Sequence, residues 1–254
     1  MMMEQLEILY RDRWLVAINK PSGMLMHRSQ LDRRETRFAV QLLRDQLDRR
    51  VFPLHRLDKP TSGVVLFALD QETARAMGKE FAARRVKKSY LAVVRGCPEQ
   101  EGMIDYSLVA GSEWGSKTVQ NDSAAARPAV TRYRSLAQIE LPFAVGRYPQ
   151  SRYALVEVRP ETGLRHQIRR HFKHIFHPLL GDTRYGDGRH NRFFRDQYAC
   201  QRLLLHAQSL AIRHPQTGER LEFVAPLHED FRQILQRAGF PLSQAGEANA
   251  THGD

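Results

Sequence analysis

The chain has 254 residues, 39 of them Lys or Arg and 28 Asp or Glu, for a formal net charge of +11 and a pI near 10.0. Hydrophobic residues make up 42% and charged residues 26%, the usage of a globular protein of one large domain or two small ones, which excludes wholesale disorder. No apolar run approaches the ~18 residues of a membrane span, and Met1-Met2-Met3-Glu4-Gln5-Leu6-Glu7 lacks a basic segment followed by an apolar one, so a cytoplasmic protein with no membrane partner is expected.

Leu6–Tyr10 and Leu15–Asn19 have strand composition and are closed by the turn Lys20-Pro21-Ser22-Gly23. Val64–Leu69 is a continuous apolar run of strand length. Asp70 after it suits a helix N-cap, with Ala74, Met77, Phe81 and Ala82 at helical spacing. Tyr90–Val94 and Tyr153–Val158 are further strands. Leu164–Phe176 is expected as a helix with Leu164, Ile168, Phe172 and Ile175 on one stripe. Leu210–Ile212 and Leu221–Val224 flank His214-Pro215-Gln216-Thr217-Gly218 as a hairpin, and His228–Ala238 is a last helix. Gly111–Pro128 reads as a polar loop and Ser243–Asp254 as a disordered tail. With no internal repeat and no Gly/Ser linker, one domain over residues 1–240 and a tail over 241–254 are expected. Strands outnumber helices without alternating strictly with them, which points to an α+β class.

The charge is unevenly placed. Residues 84–95 hold Arg84, Arg85, Lys87, Lys88 and Arg95 with no acid, and residues 159–195 hold nine basic residues against Glu161, Asp182 and Asp187. The remaining residues balance, so these two stretches carry the whole excess. Such concentration suits a polyanionic partner, because each neutralised phosphate releases condensed counterions. Cys97 and Cys200 are far apart, with no CxxC, which suits a reducing compartment. Phosphate-loop, dinucleotide-fold and zincin signatures are absent. His166, His171, His174 and His177 lie among arginines, which repel a metal cation, so these rings are expected to stack, to bond phosphates or to cap the helix end before Pro178.

His55-Arg56-Leu57-Asp58-Lys59-Pro60-Thr61-Ser62-Gly63 forms a turn before the Val64–Leu69 strand. Asp58 sits between two cations that favour its ionised form, and an ionised carboxylate serves as a nucleophile or a base. Taken alone, most such turn carboxylates are solvated or capping.

The segment His55-Arg56-Leu57-Asp58 with Thr61-Ser62-Gly63 resembles the signature of the RluA family of pseudouridine synthases. The pieces around it match in order. Asn19-Lys20-Pro21-Ser22-Gly23 resembles the family's Lys-Pro-x-Gly segment, and Lys88–Gly96 resembles the strand bearing its active-site Tyr. Thr162–Arg169 resembles the Thr-Gly-Arg-x-His-Gln-Ile/Leu-Arg motif, followed by His177-Pro178 to Gly181-Asp182. Leu205-His206-Ala207 and His214-Pro215-x-Thr217-Gly218 complete the set. Leu164 stands where the family pattern has Arg, with Arg165 beside it. Within the family, Tyr10-x-Asp12-x-Trp14-Leu15-Val16-Ala17, His27-Arg28-Ser29 and Gly146-Arg147-Tyr148-Pro149-x-x-Arg152-Tyr153 resemble members acting on tRNA at position 65.

That resemblance implies the α+β pseudouridine synthase core, a mixed and mostly antiparallel sheet with flanking helices and a central cleft. It implies that uracil is detached from C1′ of its ribose, turned and rejoined through C5, with no cofactor and no metal. Asp58 is then the nucleophile or the base that gives a glycal. Arg169 is its partner cation, and Tyr90 stacks on the target base and helps to remove the C5 proton. Arg56 is expected to replace the flipped uridine in the RNA stack, with His55, Lys88, Arg165 and Arg170 as further RNA-binding residues. The two basic stretches are expected to border one cleft with Asp58. The partner is tRNA, with ribosomal RNA as the alternative substrate and a non-catalytic RNA-binding or chaperone protein as the alternative from another class. A monomer is the default.

Overall fold

The computed structural model describes residues 5–27, 37–109 and 125–241. In chain order the first elements are β1 (Glu7–Arg11), β2 (Leu15–Lys20), α1 (Ala39–Leu47), β3 (Phe52–Pro53), β4 (Ser62–Ala68), α2 (Gln71–Ala82) and β5 (Lys87–Arg95). Next come β6 (Glu101–Asp105), β7 (Leu108–Val109), β8 (Ala126–Arg127), β9 (Val130–Leu141) and β10 (Ser151–Pro160). The last are α3 (Gln167–His174), α4 (Gly188–Tyr198), β11 (Leu205–Arg213), β12 (Arg220–Val224) and α5 (Glu229–Ala238). Strands outnumber helices and pair mostly antiparallel, so the class is α+β. The chain groups into two compact units. One holds the residues up to Tyr90 with Leu205–Glu229, and the other holds Leu91–Leu204 with the chain from Asp230. Neither is a continuous stretch of sequence, which is why no linker marks them. Most of the expected 111–128 loop and the 243–254 tail lie outside the described residues.

In the first unit β4 is the centre. Every one of its residues is buried, as a strand covered on both faces requires, and this explains an apolar run without alternation. β2 pairs with it antiparallel from Leu15↔Ala68 to Lys20↔Gly63, and β1 extends the sheet beyond β2. The other edge of β4 is shared. β3 pairs at Phe52↔Ala68 and Pro53↔Phe67, while β11 runs parallel at His206↔Ser62 and Ala207↔Gly63. Asp70 caps α2 as its position predicts: Oδ1 accepts from the Thr73 N–H at 2.7 Å and Oδ2 from the Thr73 hydroxyl at 2.7 Å, worth about 1 kcal/mol. The β11–β12 hairpin also follows the sequence reading, with Ile212 opposite Leu221. The core is one cluster that includes Ile18, Leu43, Val65, Phe67, Met77 and Leu210, each fully buried side chain contributing about 1.5–3 kcal/mol.

In the second unit β9 pairs with β10 from Thr131↔Pro160 to Leu141↔Ser151, with a bulge between Leu155 and Val156, and β6 lies on the other side of β9. α3 is shorter than its apolar stripe suggests, because residues 162–166 fold around a side-chain amide. Gln167 Oε1 accepts from the Thr162 hydroxyl at 2.8 Å and the Leu164 N–H at 3.0 Å. Gln167 Nε2 donates to the Val130 carbonyl and the Thr131 hydroxyl, both at 3.0 Å. His166 takes a left-handed φ of 55° and the helix starts after it. Ile168 and Phe172 keep the buried stripe, whereas Leu164 and Arg165 precede the helix.

Gly63 is the close-packing point of β4. It has φ +112°, and a Cβ there would meet the Ala207 carbonyl oxygen at 2.2 Å. Gly63→Ala should therefore cost about 3 kcal/mol or more. The check is urea unfolding against wild type, where a loss under ~1 kcal/mol would contradict the packing described.

Candidate active site

Asp58 sits, half-buried, on the loop between β3 and β4. The loop is tied from two directions. Its own turn closes with the Thr61 N–H donating to the Asp58 carbonyl at 3.0 Å. The Lys-Pro-x-Gly turn holds the rest: the Gly23 N–H donates to the Lys59 carbonyl at 2.9 Å, and the Ser22 hydroxyl to the Pro60 carbonyl at 2.8 Å. Lys20, 0% exposed, donates through Nζ to the carbonyls of Pro21 and Met24 at 2.9 Å and of Lys59 at 3.3 Å. Behind the loop, the buried Ser62 hydroxyl meets His206 Nδ1 at 2.8 Å. His206 Nε2 faces the Ala225 carbonyl at 3.0 Å. A carbonyl only accepts, so Nε2 carries the hydrogen.

Tyr90 and Lys88 occupy one face of β5, two residues apart, and both are half-buried. Burial, and then the nearby Asp58 carboxylate, push the Tyr90 phenol well above its ordinary range. The two proposed chemical partners of the first unit thus feel each other. His55 is brought to the same region but not as a cation. Its Nε2 accepts the Leu66 N–H at 3.1 Å and its ring stacks on Phe81 at 5.4 Å. Lys88 Nζ lies 5.3 Å from the Phe81 ring. Burial, and then the Lys88 charge, lower the His55 pKa to about 3, so the ring is neutral at physiological pH. Arg56 is exposed.

Arg169 belongs to the second unit. Its Nε and Nη2 form a bidentate pair with Asp182 at 2.7 and 2.8 Å, both side chains buried. Asp182 Oδ1 also accepts the N–H groups of Arg184 and Tyr185 at 2.9 Å. Burial alone would raise the Asp182 carboxyl, but the Arg169 bonds and charge outweigh it and hold it below the usual range. The Tyr185 ring lies 5.1 Å from the guanidinium. The Arg169 guanidinium is therefore fixed in position, and removing Asp182 from this buried pair would cost about 3–5 kcal/mol. Arg165 is exposed, and Arg170 Nη1 donates to the Val109 carbonyl at 3.1 Å. The four clustered histidines make structural contacts: His166 with the Tyr185 hydroxyl, His171 with the Tyr106 carbonyl, His174 stacked on Tyr106, and His177 with the Arg95 carbonyl. Among the described residues no group of three or more His, Cys, Asp or Glu is placed to hold a metal ion.

Part of the basic charge is already paired with acids. Arg85 is paired with Glu80, Arg95 with Asp187 and Arg169 with Asp182. Arg84, Lys87, Arg165, Arg189 and Arg192 are exposed. Lys20, His206 and Asp182 lie within the matched motifs, but the motifs alone give them no role. Their roles depend on partners 39, 144 and 13 residues away, which spacing along the chain does not reveal.

The sequence profile described as RNA pseudouridylate synthase matches residues 14–174. The chain is 49% identical over 237 residues to tRNA pseudouridine synthase C of Haemophilus ducreyi, covering 93% of this chain and 97% of that one. It is 47% identical over 233 residues to tRNA pseudouridine synthase C of Vibrio parahaemolyticus, covering 92% and 95%. Among solved structures, human RNA pseudouridylate synthase domain containing 4 superposes with a TM-score of 0.70 at 26% identity, covering 91% of this chain and 92% of that one.

The His55 geometry sets a pH dependence. Between about pH 3 and 6.5 the unfolded chain binds a proton on this ring that the folded chain excludes. This contribution to stability is complete above ~6.5 and is lost as the pH falls through that window. Histidine ring NMR should show His55 neutral at pH 5. A midpoint near 6.5 would contradict the Leu66 contact.

Proposed function

Because the chain belongs to the RNA pseudouridylate synthase family, we propose that it isomerises one uridine of tRNA, at position 65, to pseudouridine. In this reading the target uridine is flipped out of its stack and Arg56 takes its place. Asp58 acts as the nucleophile, or as the base that gives a glycal intermediate. The C1′–N1 bond breaks, uracil turns, a C1′–C5 bond forms, and the C5 proton passes to solvent while N1 takes one from it, so no electrons are exchanged with a cofactor. Tyr90, held as a neutral phenol, is a stacking surface for the base rather than a proton acceptor. Arg169, fixed by Asp182, supplies the cation of the site. Arg165, Lys88, Arg170 and the exposed arginines of α4 hold phosphates, and His55 orders the loop as a neutral ring. The protein works in the cytoplasm as a monomer.

The observation that carries this reading is the Asp58 carboxylate lying near enough to the Tyr90 phenol to act on it, on a loop and strand that bear the matched motifs. The test is to map pseudouridine in tRNA and ribosomal RNA of a strain lacking the gene, rescued with wild type or Asp58→Ala. Wild type should restore one tRNA position and Asp58→Ala none, with the purified variant at least about 10³-fold slower yet still binding tRNA. Restoration by Asp58→Ala would overturn the catalytic assignment, and dependence of a ribosomal site alone would overturn the tRNA substrate.

A further inference from the structure

α3 closes through Phe176, at a φ of 65°. This left-handed conformation is normally given to glycine at helix C-termini and is unfavourable for a bulky side chain. The main chain around it is bound on every side. The Phe176 N–H donates to the Lys173 carbonyl at 3.1 Å, and the His177 N–H to the Phe172 carbonyl at 2.9 Å. Arg95 Nη2 donates to the Phe176 carbonyl at 3.1 Å. His177 Nδ1 donates in turn to the Arg95 carbonyl at 2.9 Å, and the Arg95 N–H to the Pro178 carbonyl at 3.0 Å. None of these bonds involves the phenyl ring, which is 79% exposed, more than any other large hydrophobic side chain among the described residues. Glycine at this position would relieve the backbone and remove an apolar ring from water. Stability gives no reason for phenylalanine here, and a strained residue fixed by its surroundings is a mark of function.

The surroundings indicate what the ring meets. Tyr106, 44% exposed, stacks on the exposed ring of His174 at 3.7 Å and 16°, two residues before Phe176. His171 and Arg170 fix that segment to α3 through the Tyr106 and Val109 carbonyls. Lys173 and Arg95 flank the same helix end, the latter paired with Asp187. Phe176 also falls within the stretch of nine basic and three acidic residues. Aromatic rings interleaved with cations match a polyanion with flat apolar bases and mismatch an apolar protein face. We propose that Phe176 is a base-stacking residue whose ring covers an exposed nucleobase of the RNA substrate. This inference rests on the tRNA reading above.

The experiment compares wild type with Phe176→Gly and Phe176→Trp by thermal unfolding, by binding to a tRNA transcript and by steady-state turnover. Phe176→Gly should unfold about 2–4 °C higher. It should bind tRNA roughly 5- to 150-fold more weakly, the range of one lost base–ring stack, with the loss carried by KM more than by kcat. Phe176→Trp should bind within about threefold of wild type. A Phe176→Gly protein that binds and turns over like wild type overturns the proposal and leaves the tRNA reading intact. A lower melting temperature for Phe176→Gly also overturns it, because the ring would then be a packing element. Wild type that neither binds nor modifies the transcript removes the tRNA reading and this inference with it.

Discussion

The Lys20 ammonium lies wholly out of water and is shared among three main-chain carbonyls: its own neighbour Pro21, Met24 of the following turn, and Lys59 of the Asp58 loop. Burying an ammonium costs several kcal/mol unless its donors are satisfied, so these carbonyls must converge wherever the chain is folded. The Gly23 N–H and the Ser22 hydroxyl bind the same loop, and the His228 ring donates to the Lys20 carbonyl. Two segments about 40 residues apart are thereby locked around one cation. Asp58 is only one residue from a locked carbonyl, and this fixes the carboxylate on which the proposed chemistry depends.

The same rule, that a charge out of water must be answered locally, governs the second unit. Arg169 and Asp182 answer each other, and two more main-chain N–H groups complete the carboxylate. Gln167 uses both ends of its amide to set the start of α3, which orients the helix that carries Arg169. Not all of the 39 Lys and Arg residues meet a polyanion alone, since Arg85 and Arg95 already have acidic partners. Steering falls to exposed side chains such as Arg84, Lys87, Arg189 and Arg192.

Much of the fold was legible where the signal is local. The apolar run of β4, the Asp70 cap and the Pro–Gly turn of the last hairpin are each decided by neighbours a few residues away. Helix α3 was misread at its start because Leu164 has helical spacing, while the Gln167 amide, bonded to residues 36 and 37 positions back, breaks the helix before it. α1, α4 and the long β9 carry weaker periodicity and were not anticipated. Of the candidate site, Asp58 and Tyr90 were readable because their motifs are contiguous. The neutrality of His55 was not, since it comes from a backbone N–H and an aromatic face that only the folded sheet and helix supply.

Lys20 fixes the loop on which Asp58 is proposed to act, and single-turnover kinetics of Lys20→Met on tRNA tests this. Methionine keeps the length and apolar stem while leaving the Pro21, Met24 and Lys59 carbonyls without their donor. The rate of pseudouridine formation with saturating enzyme should fall at least about 100-fold, as misplacing a reacting group does, while the tRNA dissociation constant stays within about threefold. A Lys20→Met protein that isomerises uridine at the wild-type rate would show that Lys20 does not position the Asp58 loop.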